Sequence, residues 1–217
     1  MFLGHYAIAL AAKPAMPRRS VGWSFLAAQL LDILWAAFVL GGLEHMRIVP
    51  HILPASSLVL YDIPWSHGLV MALVWGWFCF RFTKSIVLAL CVISHWVLDF
   101  IVHTPDLPVW RGGAVLGLGL WRYREATVAV ELLMFAIGLW IYMRSTRPRN
   151  TLGRTGMPAL AVFLTVTFLM NTYGPPPPSV RALTMGGEIS FLLLAAVAAL
   201  VDRGREPRPG AALSIAE

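Results

Sequence analysis

Charge is scarce in this chain of 217 residues: Asp, Glu, Lys and Arg make up 13% of it, about half the usual share. So few charges cannot cover a globular surface, which argues against a soluble enzyme. A disordered tail protein is excluded as well, because that state needs low hydrophobicity and high charge. Cysteine is almost missing. Cys79 and Cys91 are too few for a secreted disulfide scaffold or a structural zinc ribbon; they read as plain apolar packing. No convincing internal repeat is present, so a transporter built from two inverted halves gets no support.

What the chain does contain is apolar: the residue types AVILMFWYC make up 58%. A membrane-crossing helix needs about 20 mostly apolar residues. Six stretches qualify or come close: Val21–Leu43, Ser66–Phe82, Ser85–His103, Ala126–Met143, Met157–Tyr173 and Leu183–Val201. A seventh, Met1–Ala12, is too short to cross. Lys13, Arg18 and Arg19 follow it, whereas a signal peptide carries its basic residues first. It reads as a short re-entrant or half-depth helix that stays in the protein. The expected fold class is therefore all-α: a polytopic transmembrane helix bundle of six spans plus the short N-terminal helix. Residues 1–202 form one membrane domain, with a polar part (1–143) and a plainer helix pair (157–201). Residues 203–217 read as a disordered cytoplasmic tail.

The net charge of +6 is an orientation signal. Numbering the segments between spans alternately puts twelve Lys and Arg residues on one side and five on the other. The richer set, from Lys13 through Arg208, should be cytoplasmic. This expects a multi-pass protein of the inner (cytoplasmic) membrane with its C-terminus inside, and no nucleic-acid partner. Trp65, Trp110 and Trp121 fall at expected outer ends, as aromatic belts do. The outer loops 44–65 and 104–125 are long enough to cover a site, and Pro175–Pro178 makes a stiff outer turn.

Ionisable side chains inside a membrane cost a few kcal/mol each (about 3 on insertion scales), so they usually have a partner or a function. Here they are numerous: His5, Asp32 with Gln29 nearby, His67, His95, Asp99, His103, Glu131 and Glu188. In Ser94-His95-Trp96-Val97-Leu98-Asp99 the His and the Asp are four apart and share one helix face, and His103 continues the stripe. Such a pair can chelate a cation when the imidazole is neutral and the carboxylate ionised. A rise of 1.5 Å per residue puts Asp99 roughly 6 Å and His95 roughly 12 Å below the outer end. Asp32, Asp62, His67 and Glu131 fall at depths that can converge on the same outward-opening cavity. Glu188 reads as a packing residue, and His45 and His51 as solvated loop residues.

These residues resemble a known family. Gly4-His5, Leu31-Asp32, Asp62 five residues before His67, and Ser94-His95-x3-Asp99 look like the blocks of the bacterial predicted inner-membrane metal-dependent hydrolases, over about residues 1–105. Ser66-His67-Gly68-Leu69 is similar to the family's Thr-His-Ser-Leu. Asp62 stands where the family has the first His of its central block, and the family's Asp-x-Asp is reduced to Asp32. The resemblance implies a membrane-embedded metal site and hydrolase activity.

The resulting expectation is a metal-dependent hydrolase in the outer leaflet. His5, Asp32, Asp62, His67, His95 and Asp99 supply ligands to one or two divalent ions, zinc first, with manganese or iron also compatible. Glu131 or His103 acts as general acid/base. The substrate is amphiphilic and comes from the lipid bilayer, a phospholipid or lipid-linked phosphate. Two other readings use the same residues: a transporter moving a cation or proton along them, and a non-catalytic scaffold in which they only lock helices together. The oligomeric state stays open.

Overall fold

A computed structural model of the chain describes residues 1–210. The tail residues 211–217, expected to be disordered, lie outside the described residues.

The chain is mostly helical. The short first helix α1 (Leu3–Ala11) leads through a 3-10 turn to α2 (Val21–Ala28) and α3 (Leu30–Leu40). A hairpin of β1 (His45–Leu53) and β2 (Ser56–Asp62) follows, then α4 (Leu69–Thr83) and α5 (Ile86–Val102). A tiny antiparallel pair, β3 (Leu107–Pro108) with β4 (Val115–Leu116), precedes α6 (Arg124–Ser145). The strand β5 (Thr146–Pro148), α7 (Thr151–Tyr173), α8 (Val180–Arg203) and β6 (Arg205–Pro207) complete it. The starts are written in the sequence. Ser20, Ser85, Asn150 and Ser179 each accept a backbone N–H from the first turn of α2, α5, α7 and α8, the N-cap role such residues favour.

Three helices, α6, α7 and α8, are long and apolar enough to cross a membrane. The pair α2 and α3, bent by 49° at Gln29, makes a fourth if counted as one span. This is the architecture of a membrane protein, with three or four spans by helix length where six were expected. The shortfall lies in α4 and α5, of 15 and 17 residues, or about 22 and 25 Å at the helical rise. A hydrocarbon core is about 30 Å thick. The expected second span loses its first residues because Gly68 is extended and Ser66-His67 precedes the helix. The third ends at His103, which is extended too.

Small residues set the packing. A Cβ on Gly138 of α6 would lie 2.4 Å from the Ala7 carbonyl oxygen of α1, and one on Gly22 of α2 would lie 2.6 Å from the Ala195 carbonyl oxygen of α8. Both glycines let helix backbones touch. As a result α1 is buried against α2, α5 and α6. Large apolar side chains point outward instead, among them Phe82, Val162 and Met170, an exterior suited to lipid rather than water.

Two expectations for the loops and tail change. The outer loop 44–65 is a β-hairpin. Pro50 and Pro54 are accommodated because the register is irregular between Ile48 and Leu53 and the turn follows directly. The tail begins as ordered chain: β6 pairs with β5, and the buried Arg205 donates from Nε to Thr146 Oγ1 at 2.8 Å. Just before it, Asp202 accepts from Lys13 Nζ at 2.7 Å, Val21 N at 3.1 Å and Tyr142 Oη at 2.7 Å. That network ties the turn after α1 to α2, α6 and α8 at the end of the bundle opposite the His/Asp residues.

Candidate metal centre

Four chain segments bring imidazoles around two carboxylates. Helix α5 contributes His95 and Asp99 on one face, with His103 just past its end. The bend between α2 and α3 places Asp32, the buried α1 presents His5, and the segment before α4 presents His67. Asp99 is the hub. Its Oδ2 lies 3.2 Å from His95 Nε2, 3.5 Å from His67 Nε2 and 3.8 Å from His103 Nε2. Its Oδ1 lies 3.2 Å from His5 Nε2 and receives the Met1 amino group. Asp32 Oδ1 lies 3.4 Å from His67 Nε2 and 3.6 Å from His95 Nε2. The His5 ring stacks flat on His95, centroids 3.7 Å apart.

The outer nitrogens of three rings decide what this cluster is. His95 Nδ1 lies 2.7 Å from the Ala28 carbonyl oxygen, which accepts and cannot donate, so Nδ1 carries the proton. His67 Nδ1 lies 2.8 Å from Ser66 Oγ, whose single hydroxyl proton goes to Glu44 Oε2 at 2.6 Å. Nδ1 of His67 is then the donor as well. His103 Nδ1 faces Asp106 Oδ1 at 2.9 Å, a third acceptor. In neutral rings, this network leaves a bare lone pair on all three Nε2 atoms. Each of these Nε2 atoms lies within 3.8 Å of Asp99 Oδ2, and those of His67 and His95 lie within 3.6 Å of Asp32 Oδ1. Electron pairs facing carboxylates in a buried site repel, unless a cation lies between or the rings take up protons. His95 Nε2 is buried with no hydrogen-bond partner among the described residues, and so are both ring nitrogens of His5.

The donor set fits a metal ion. Ligand atoms of His5, Asp32 and His95 lie within 4.8 Å of one another, and so do those of His67, His95 and Asp99. Imidazole nitrogen and carboxylate oxygen are the ligands of catalytic zinc, manganese and iron sites. The groups bonded to Nδ1 hold the rings in a fixed orientation, as partners behind metal-binding imidazoles do. The buried cluster can therefore hold a metal ion. Asp32 alone among the core residues is partly open, with 23% of its side chain exposed. It borders a cavity of about 1380 Å³ that also reaches His67, Asp99 and His103.

Of the six expected ligands, five converge. Asp62 does not: it closes the β-hairpin, about half exposed, and pairs with His45 at 2.9 Å. The hairpin carries it away from His67, although only four residues separate them. Glu44 supports His67 instead, accepting also from the backbone N–H groups of Trp65 and Ser66 at 2.7 and 2.8 Å. Glu131, expected as a general acid/base, accepts from the backbone N–H groups of Phe2, Leu3 and Gly4 at 2.8, 2.6 and 3.4 Å. It satisfies the free donors at the start of α1 and so fixes the height of His5. His103, the other expected acid/base, lines the cavity, backed by Asp106 and by the Trp121 ring at 4.4 Å. Sequence reasoning missed Glu44, Ser66, Asp106 and the Ala28 carbonyl. Asp106, three residues past His103, was the one with a visible signal.

No family model, curated protein or solved structure matches this chain. The hydrolase resemblance thus rests on the blocks around His5, Asp32, His67, His95 and Asp99.

Proposed function

We propose that this chain is a membrane-embedded metal-dependent hydrolase that cleaves an amphiphilic substrate, a phospholipid or lipid-linked phosphate, drawn from the bilayer. The observation that carries this reading is the pair of His67 and His95 rings, held through Nδ1 by Ser66 and the Ala28 carbonyl with their Nε2 atoms 3.2–3.6 Å from Asp32 and Asp99. Asp32 and Asp99 supply the negative charge that draws a divalent ion, zinc being the first candidate, with the Met1 amino group offsetting part of it at Asp99 Oδ1. His67, His95, Asp32 and Asp99 would hold it, with His5 packed on His95. When bound, such an ion lowers the pKa of a coordinated water toward 7 and polarises the group to be cleaved.

The chain's own residues do the rest. Ser66 with Glu44, and the Ala28 carbonyl, fix the tautomer and tilt of His67 and His95. The cavity admits the substrate at Asp32, the partly open carboxylate. Hydrolysis adds water across the ester bond, so one proton must leave the water and one must reach the departing oxygen. His103 takes the first at Nε2, Asp106 stabilises the resulting imidazolium from Nδ1, and the imidazolium then passes that proton to the departing oxygen. Glu131 is a positioning residue. At the far end, Asp202 is fully paired with Lys13, Val21 and Tyr142. That pairing occupies the Asp202 carboxylate and favours hydrolysis over transport. The excess of basic residues in one set of segments supports reading the C-terminus as cytoplasmic and the His/Asp cluster as facing the outer leaflet.

The test is hydrolysis of phosphatidylglycerol in proteoliposomes, assayed with metal analysis of the same preparation. Wild type should release product, and Asp99→Asn should release none and hold no metal. Undiminished product from Asp99→Asn would overturn the proposal.

A further inference from the structure

The cavity does not stop at the carboxylates. From Asp32, His67 and Asp99 it continues between α7 and α8 as far as Leu152 and Val201, which lie at the opposite ends of those helices. The groove thus runs nearly the length of α7, about 30 Å at the helical rise. Its wall changes along the way. Near the cluster it carries Arg124 and Thr127; farther down it is Leu160, Phe163, Leu193 and Val197.

One residue shows that this space is kept open. A Cβ built on Gly186 of α8 meets nothing within 4 Å. Glycine inside a helix destabilises it relative to alanine. In a membrane it usually earns its place by letting a neighbour come close, as Gly22 and Gly138 do in this protein. Gly186 has no such neighbour and lines the groove, as do Gly187 and Ser190 on the same helix. The surroundings are hydrocarbon, the lower walls are apolar, and the upper end is continuous with buried polar groups. A guest with one apolar limb and one polar end matches that gradient.

Resting on the hydrolase reading, we propose that the α7–α8 groove holds one hydrocarbon chain of the lipid substrate, laid along the helices, so that its polar linkage lies at Asp32, His67 and Asp99. The chain enters sideways from the bilayer, and its seating sets the position of the bond to be cleaved. Filling the groove at Gly186 or Ser190 blocks the seat without touching the metal ligands.

The experiment uses the full chain in vesicles of phosphatidylethanolamine and phosphatidylglycerol. These are doped with a phosphatidylcholine whose palmitoyl chain ends in a diazirine, and adducts are mapped after irradiation. In wild type, adducts should appear on the buried groove residues Leu160 and Leu194 as well as on the outward-facing Val162 and Met170. In Gly186→Phe and, independently, Ser190→Phe, groove adducts should fall about tenfold, with outward adducts and metal content unchanged. Gly186→Ala, a methyl group placed in open space, should label like wild type and controls for folding. Equal groove labelling in wild type and both Phe variants, or wild-type adducts confined to Val162 and Met170, would overturn the proposal. Groove labelling in a protein without metal removes the hydrolase reading and leaves the groove; metal without groove labelling does the reverse.

Discussion

His95 and Asp99 stand one turn apart on α5, with Nε2 of the first 3.2 Å from Oδ2 of the second. The ring's other nitrogen is already bonded to the Ala28 carbonyl. The bend after α2 supplies that carbonyl, and the same bend places Asp32 3.6 Å from His95 Nε2. A kink in one helix therefore both orients a ligand on another and delivers a second carboxylate to it.

The direct ligands answer to substitution most strongly. His95→Ala and Asp99→Ala should each abolish stoichiometric metal while leaving the protein membrane-inserted. Chelation should lower the wild-type thermal midpoint, since an ion present at 1,000 times its Kd contributes about 4 kcal/mol. The midpoints of the two variants should not respond to chelator. A thermal-shift titration with and without chelator checks this.

Support for His67 separates two acidic residues, the distant Glu44 and the sequence neighbour Asp62. Glu44→Gln and Ser66→Ala should weaken metal binding by roughly 10- to 100-fold, the usual cost of losing a partner behind a ligand. Asp62→Ala should leave affinity unchanged, because Asp62 pairs with His45 outside the cluster. Metal competition with a chromophoric chelator measures all three.

Glu131 and His103 should part ways kinetically. Glu131→Ala leaves buried N–H groups of Phe2, Leu3 and Gly4 without an acceptor, at about 1–3 kcal/mol for each such donor. Glu131→Gln keeps an acceptor oxygen and should recover much of that stability, and its pH–rate profile should keep the wild-type shape. His103→Gln should retain stability and metal yet flatten the limb of the profile that reports the base.

At the other end of the bundle, Asp202→Ala leaves Lys13 buried without its counter-ion. Breaking one partner of a buried pair costs about 3–5 kcal/mol. Metal stoichiometry should not change in whatever fraction remains folded, as read by elemental analysis after size-exclusion chromatography.

The residues that repeat at helical spacing were legible in the sequence. Asp99 four after His95, and the apolar runs of α6, α7 and α8, announce themselves through composition and period alone. So did the short buried α1. Span count was not legible, because hydropathy runs on through Ser66-His67-Gly68, where the backbone is extended rather than helical. The hairpin was hidden by Pro50 and Pro54, which read as loop until an irregular register makes room for them. Asp62 looked like a ligand through its spacing to His67, and only the hairpin's path shows it leaving. Glu44 and the Ala28 carbonyl act through contacts between distant segments, which no local pattern encodes.

Elemental analysis of purified wild-type protein, washed free of loosely held ions, tests the cation at Asp32 and Asp99 most directly. About one tightly held divalent ion per chain is expected, bound by the two carboxylates and neutral imidazoles. A fully folded preparation in which no transition metal rises above trace level would contradict it, leaving the His67, His95 and His103 rings to be charged partners of the two aspartates.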